Sequence, residues 1–314
     1  MRVMPGRLVE DDPMLRIISI CAITLLFSIS STASAADNHT LVWAGCGITK
    51  KAFMAELAKA YEKKTGIHII LKGGGATRGI RDAAAGKIDI GGACRSTIDG
   101  NPLEMKAYEV PVAWDALAVI VNRRNPVKSI TLRQLQDIYL GRIKNWKQLG
   151  GPNAPIELYV RRGEISGVGR TLRALVFANY DQKFPGAKHI VRSSGPLEKG
   201  IEQDPLAIGT TGISSAKRRK VRILSINGMY PSYENIKSGS YILYRPLYLV
   251  TKGQSADERV KDFITFALSR QGRAVIRHAG SVPYSDAMGL VMKQIEQYDQ
   301  ATDRGLFNTT ASSR

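Results

Sequence analysis

Four arginines gather around one serine in the stretch Arg161 to Phe177, RRGEISGVGRTLRALVF. Val168, Leu172, Leu175 and Val176 recur at helical spacing, so the stretch predicts an amphipathic helix that starts close to Ser166 and Gly167. A helix start has free N–H groups and the positive end of the dipole, and acidic side chains are its usual neighbours. Here Arg161, Arg162, Arg170 and Arg173 stand nearby, and Glu164 is the only acid. Such a set of donors suits a bound anion.

Two further loops have the same design. Gly45-Cys46-Gly47-Ile48-Thr49 precedes Lys50 and Lys51, and Gly73-Gly74-Gly75-Ala76-Thr77 precedes Arg78. Each follows a strand-like run, carries one hydroxyl, and places backbone N–H groups at the start of a helix. Glycine permits close approach of the backbone, and successive N–H groups form an anion nest. One such loop is ordinary turn chemistry. Three together point to one oxyanion, bound at the C-terminal ends of strands, where open α/β sheets hold ligands.

The elements around these loops alternate. LVWA, the run KKAFMAELAKAYEKKTG with Phe53, Met54, Leu57 and Tyr61 on one face, IHIILK, IRDAAAGK and IDIGGACRS read as β-α-β-α-β, which predicts a parallel sheet. VPVAWDALAVIVNRRNPV is a long extended run. TLRQLQDIYLGRIKNW reads as a helix, PIELYVRR as a strand, AIGTTGISSA and YILYRPLYLVT as strands, DERVKDFITFALSRQGRAVIRHAG as one or two helices, and LFNTTASSR as a loose tail.

The chain has 314 residues, 44% of them hydrophobic, enough for one large or two medium domains with a full core. MLRIISICAITLLFSISSTASAAD has a basic start, an apolar centre and the small-residue end Ala33-Ser34-Ala35, the pattern of a secretory leader cleaved after Ala35, with Met14 as an alternative start to Met1. The net charge is +18, and the leader holds three arginines against three acids, so the excess belongs to the remainder. Such a surface attracts anions. KRRKVR, Lys217 to Arg222, has no aromatic residues interleaved and reads as a solvated loop and strand start; binding of nucleic acid is not expected.

Taken in order, KKTGIHIILKGGGATRGIRDAAAGKIDIGGACRS, then GRIKNW with PIELYVRRGEISGVGRTL, then DPLAIGTTGIS and YILYRPLYLVT resemble the periplasmic phosphate-binding proteins of ABC transporters, from about Leu41 to Tyr284. The resemblance implies a type II solute-binding fold: two lobes, each a mainly parallel sheet flanked by helices, joined by two hinge strands. Lobe 1 would comprise residues 36–117 and 245–314, and lobe 2 residues 118–244. It also implies phosphate or a related oxyanion as ligand, a membrane permease as partner, a periplasmic location, a monomer, and no cofactor, metal or catalysis. Its ligand contacts fall on Ile48, Thr49, Ala76, Thr77, Arg95, Arg162, Ser166, Gly167 and Val168. Arg162 is the expected charge partner, because a guanidinium fork matches an oxyanion. The sequence departs from the family pattern at Val168, where a threonine is expected, and at Arg95, where many members have an aspartate. A carboxylate can accept the proton of hydrogen phosphate, whereas arginine only donates; Glu164 or Asp115 would have to replace it. In this architecture Cys46 and Cys94 follow neighbouring strands, and a disulfide between them is expected in an exported protein.

Two other functions remain open on the residues. A polyanion-binding surface protein would use the net charge and KRRKVR. A phosphate-ester hydrolase would need a nucleophile elbow, but Glu164 stands where G-x-S-x-G requires glycine, and His39, His68, His189 and His278 show no metal spacing.

Overall fold

The computed structural model of the chain describes residues 39–254 and 257–310, with side chains described through residue 303. The expected leader, residues 1–35, lies outside the described residues.

The first half begins with β1 (Thr40–Gly45), followed by α1, which is helical over Gly47–Thr49, widens to a π-turn at Lys50–Met54 and continues over Ala55–Thr65. Phe53, Met54, Leu57 and Tyr61 are buried, and this face holds the helix in place. β2 (His68–Lys72), α2 (Gly75–Ala84) and β3 (Ile90–Ala93) complete the expected alternation. β4 (Ala107–Asn122) is a long strand that leads to β5 (Ser129–Ile130) and α3 (Leu132–Tyr139). Next come β6 (Glu157–Arg161), α4 (Gly167–Leu172, extended by a π-turn at Arg173–Phe177), β7 (His189–Val191), α5 (Ser194–Gln203), β8 (Ala207–Gly212) and α6 (Ile213–Ala216). The chain continues through β9 (Val221–Ile223), β10 (Ser225–Ile226), α7 (Tyr233–Lys237) and β11 (Tyr244–Lys252). It ends with α8 (Glu258–Leu268), α9 (Arg270–His278), β12 (Val282–Pro283) and α10 (Leu290–Thr310).

The main sheet has the order β2-β1-β3-β11-β4-β8-β6-β7, with β9 and β12 also paired to β4. β2, β1 and β3 are mutually parallel, as are β7, β6 and β8. The antiparallel strands β11 and β4 stand between these groups. β4 changes partner along its length: up to Ala116 it pairs with β11, and from Leu117 it pairs with β8. The architecture is thus two parallel β/α units connected through two long strands, the type II solute-binding arrangement.

Three local expectations are corrected. The helix expected over TLRQLQDIYLGRIKNW starts with a Thr131–Gln134 capping box but stops at Tyr139, because Gly141 takes a left-handed turn (φ 71°) and Trp146 opens a separate short 3-10 helix at Trp146–Leu149. The end of AIGTTGISSA is the helix α6, which starts as soon as β8 is complete. The expected loose tail is helical through Thr310, as the last turns of α10.

Candidate functional site

Four helices start at one cavity. Gly47, Gly75, Gly167 and Ser194, the first residues of α1, α2, α4 and α5, all line a space of about 390 Å³ between the two parallel units. The free N–H groups and dipole ends of four helices therefore meet there, an electrostatic environment that favours negative charge. The glycines matter sterically at two places. Gly74 and Gly75, at φ 139° and 83°, turn the chain in a way other residues resist, and so deliver the start of α2 to the wall. At Gly167 a side chain would collide with the Cys94 sulfur and press on the Ala76 methyl, so the two units can approach this closely only with glycine there.

Three basic residues line the wall, Arg161, Lys51 and the exposed Arg192. Arg161 lines the cavity and is held by donating to Ser194 Oγ (2.9 Å) and to the Arg192 carbonyl (3.0 Å). Its Nε is buried with no partner among the described residues. Burial pushes the Arg161 guanidinium down from its ordinary value, opposed by the two cysteine sulfurs. Lys51 comes from α1, and its Nζ donates to Ser215 Oγ (2.7 Å) on α6. Ser215 in turn donates to Glu198, a fully buried carboxylate that also accepts from Thr211 Oγ1 (2.7 Å) and Arg219 Nε (2.9 Å). Glu198 thereby orients Lys51 and Ser215 without itself lining the cavity.

Ala76, Gly167, Val168, Cys46 and Cys94 line the cavity. Arg161 lines the cavity and Arg162 does not. Side chains alternate along a strand, and β6 sends Glu157, Tyr159 and Arg161 to one face and Leu158 and Val160 to the other. Arg162 follows Val160 on that second face and is exposed beside a second groove, which Glu164, Arg173, Lys183 and Arg161 also line. Arg95 is corrected too. It does not line the cavity: its guanidinium is only 2% exposed and grips Glu104 in a bidentate pair (2.8 and 2.9 Å). Burial pushes the Glu104 carboxyl up, but hydrogen bonds and charge from Arg95 outweigh it, and the group is held below its usual range.

Ile48, Thr49, Thr77 and Ser166 have inward or structural roles. Ile48 and Thr49 are buried in the first turn of α1, directly after Cys46. Thr49 Oγ1 donates to the Ala93 carbonyl (3.0 Å), Thr77 Oγ1 to the Ile165 carbonyl (3.0 Å), and Ser166 Oγ accepts from Gly169 N as the cap of α4. Neither suggested carboxylate reaches the cavity. Glu164 is exposed and paired with Lys183, while Asp115 is fully buried between Arg245 Nη2 (3.3 Å) and Ser214 N (3.3 Å).

Cys46 and Cys94 are brought together with their sulfurs 2.8 Å apart and unbonded in this structure. The parallel pairing of Gly45 with Gly92 brings their loops together, as the strand order requires.

Hydrogen bonds cross the cleft on both sides of the cavity. Arg95 Nε and Thr77 Oγ1 both donate to the Ile165 carbonyl (2.8 and 3.0 Å), and Thr171 Oγ1 donates to the Cys94 carbonyl (3.2 Å). On the other side Lys51 meets Ser215, and Arg218 Nη2 donates to the Lys51 carbonyl (2.9 Å). The units are clasped. Arg219 pairs with Glu198 and Arg222 donates to the Arg123 carbonyl (3.2 Å), so much of the KRRKVR run is used inside the protein.

Sequence reasoning missed Ser193, Ser194 and Ser215, and marked Lys51 only as a basic residue after the first glycine loop. The signal for α5 was present in SSGP: a serine before a helix start and proline in the first turn. Lys51 and Ser215 converge only through the tertiary fold.

Known proteins are similar to this chain over most of its length. A family profile described as a PBP superfamily domain matches residues 31–271. The phosphate-binding protein PstS of Borreliella burgdorferi is 28% identical over 271 residues, 82% of this chain and 96% of that one. The protein of the same name from Bacillus subtilis is 29% identical over 253 residues, 79% of this chain and 82% of that one. Among solved structures, a phosphate ABC transporter substrate-binding protein from Clostridium perfringens, with bound phosphate, superposes with a TM-score of 0.71 at 29% identity, covering 78% of this chain and 99% of that one. An ABC-type phosphate transport receptor from Vibrio cholerae gives 0.61 at 27%, with coverage of 78% and 99%.

Proposed function

The chain belongs to the PBP superfamily, and we propose that it is a receptor outside the cytoplasm that captures phosphate, or a closely similar tetrahedral oxyanion, and delivers it to an ABC permease. The observation that carries this reading is the cavity itself: four helix N-termini, Arg161 and Lys51 converge where no carboxylate is among the lining residues. An anion there would accept from backbone N–H groups, from Ser193, Ser194 and Lys51, and from the buried Nε of Arg161 that has no partner among the described residues. The names of the relatives and the phosphate bound in the similar structure from Clostridium perfringens support phosphate as the first ligand to test. Arg95 does not weigh against it, because Glu104 neutralises that charge away from the cavity.

We assign residues 36–117 and 245–314 to lobe 1 and residues 118–244 to lobe 2. The change of partner on β4 at Ala116 and Leu117, and the hydrogen bond from Leu117 N to the Leu243 carbonyl (2.8 Å), support a hinge there. Capture would then be closure of the lobes upon the anion, with the cross-cleft hydrogen bonds formed in the closed state. Titration calorimetry of the phosphate-stripped protein with phosphate, arsenate, sulfate and molybdate tests the reading. Binding of phosphate in the micromolar range or tighter is expected, and binding of none of the four would refute it.

A further inference from the structure

Cys46 and Cys94 are 48 residues apart, yet their sulfurs are in contact at 2.8 Å, and both line the anion cavity. They are 6% and 1% exposed, so the cavity is their path to solvent. Cys46 is the residue before α1, at the positive end of that helix. Arg245 of β11 lies behind the pair and donates to the Cys94 carbonyl (3.1 Å), Arg161 of β6 stands across the cavity, and Asp115 of β4 is bound to Arg245. A helix start and nearby cations are the surroundings that make a thiol reactive. The hydrogen bond from Cys94, opposed by burial and aided by Arg245 and the backbone, brings the Cys46 thiol down to about 6. The same contact and burial push Cys94 up. One sulfur is thus suited to attack and the other to follow.

We propose that Cys46 and Cys94 form a thiol–disulfide exchange site inside the anion cavity, and that the oxidised protein holds the oxyanion more tightly than the reduced protein. The oxidant is a disulfide, small or protein-borne, written RSSR. The Cys46 thiolate attacks one of its sulfurs, breaking the S–S bond, forming Cys46–S–S–R and releasing RS⁻. The Cys94 sulfur then attacks the Cys46 sulfur; the mixed disulfide breaks, a second RS⁻ leaves, and the Cys94 proton passes to it. Two electrons go from the cysteines to the oxidant, which leaves as one thiolate and one thiol. The product has no thiolate. Removal of one negative charge a few ångströms from the bound anion strengthens anion binding by about tenfold or more. By reciprocity the anion favours the oxidised pair to the same degree, and tenfold corresponds to a fall of about 30 mV in the pair's reduction potential.

The second half rests on the receptor reading; the exchange itself does not. The full chain is equilibrated in glutathione buffers of graded ratio, with and without saturating phosphate, then acid-quenched, alkylated and mapped by peptide mass spectrometry. The reduced and oxidised forms are titrated with phosphate by calorimetry. A cross-linked Cys46–Cys94 peptide is expected at oxidising ratios, at a potential about 30 mV lower with phosphate, together with at least tenfold tighter phosphate binding by the oxidised form. Cys94→Ser should accumulate a glutathione adduct on Cys46, and Cys46→Ser should accumulate far less on Cys94. Absence of the cross-linked peptide at every ratio overturns the exchange site. Equal phosphate affinity of the two forms overturns the coupling. A cross-linked peptide with phosphate bound by neither form sustains the exchange site and overturns the receptor reading.

Discussion

Replacing Arg161 by alanine should weaken phosphate binding by about a hundredfold, while the same change at its neighbour Arg162 should alter it by less than about fivefold. Arg161 uses one N–H on Ser194 and one on the Arg192 carbonyl, so three of its five donors remain, including the buried Nε. A unit charge about 4 Å from an anion is worth roughly 4 kcal/mol at the effective dielectric of a partly buried site, and water entering the vacated space recovers part of it. A net loss of about 3 kcal/mol, or about two decades in Kd, is the working figure. Arg162 is exposed on the opposite face of the strand end, where a single charge is worth under about 1 kcal/mol. Calorimetry on both variants, with melts in the absence of phosphate to correct for the lost Ser194 contact, makes the comparison. Should Arg162→Ala lose more affinity than Arg161→Ala, the assignment of faces on β6 is wrong and the anion sits in the groove beside Arg162.

Glu104→Gln should destabilise the protein by about 3–5 kcal/mol in denaturant titration, since it leaves the Arg95 charge buried with no counter-ion; a loss below about 1 kcal/mol would mean that Arg95 relocates to solvent. Gly167→Ala should weaken phosphate binding by at least about tenfold, because the added methyl meets the Cys94 sulfur and props the cleft open; unchanged affinity would show that binding needs no such close approach. Glu109 has a carboxyl that burial pushes up to about 7 from 4.5. The folded state then holds a proton that the unfolded state has lost, so stability should fall, by no more than about 3 kcal/mol, as pH rises from about 4.5 to about 7. Urea midpoints across that range should show the fall in the native protein and a flatter profile in Glu109→Gln; identical profiles would refute the assignment.

The parts legible in the sequence are those encoded locally. Glycine loops announce themselves because few other residues tolerate the required backbone, and three of the four helix starts at the cavity were found through them. The fourth, at Ser194, has no glycine nest before it and was passed over, although Ser193 and Pro196 mark it. The β-α-β run was legible because periods of 2 and 3.6 persist over enough residues. What failed was the choice between neighbours. Period 2 says that Arg161 and Arg162 point to opposite faces, but both faces of an α/β sheet are covered, so the period cannot say which face meets the other lobe. The same limit hid the fate of Arg95. The family resemblance put it at a ligand position, and only the fold brings Glu104, nine residues later, beneath it to take its charge. Charge type and loop design therefore located the site, while strand parity and long-range pairing decided which of its cations face the cavity. A carry-over from family spacing is safest for backbone donors, whose position the turn fixes, and weakest for long side chains, whose partners lie elsewhere in the chain.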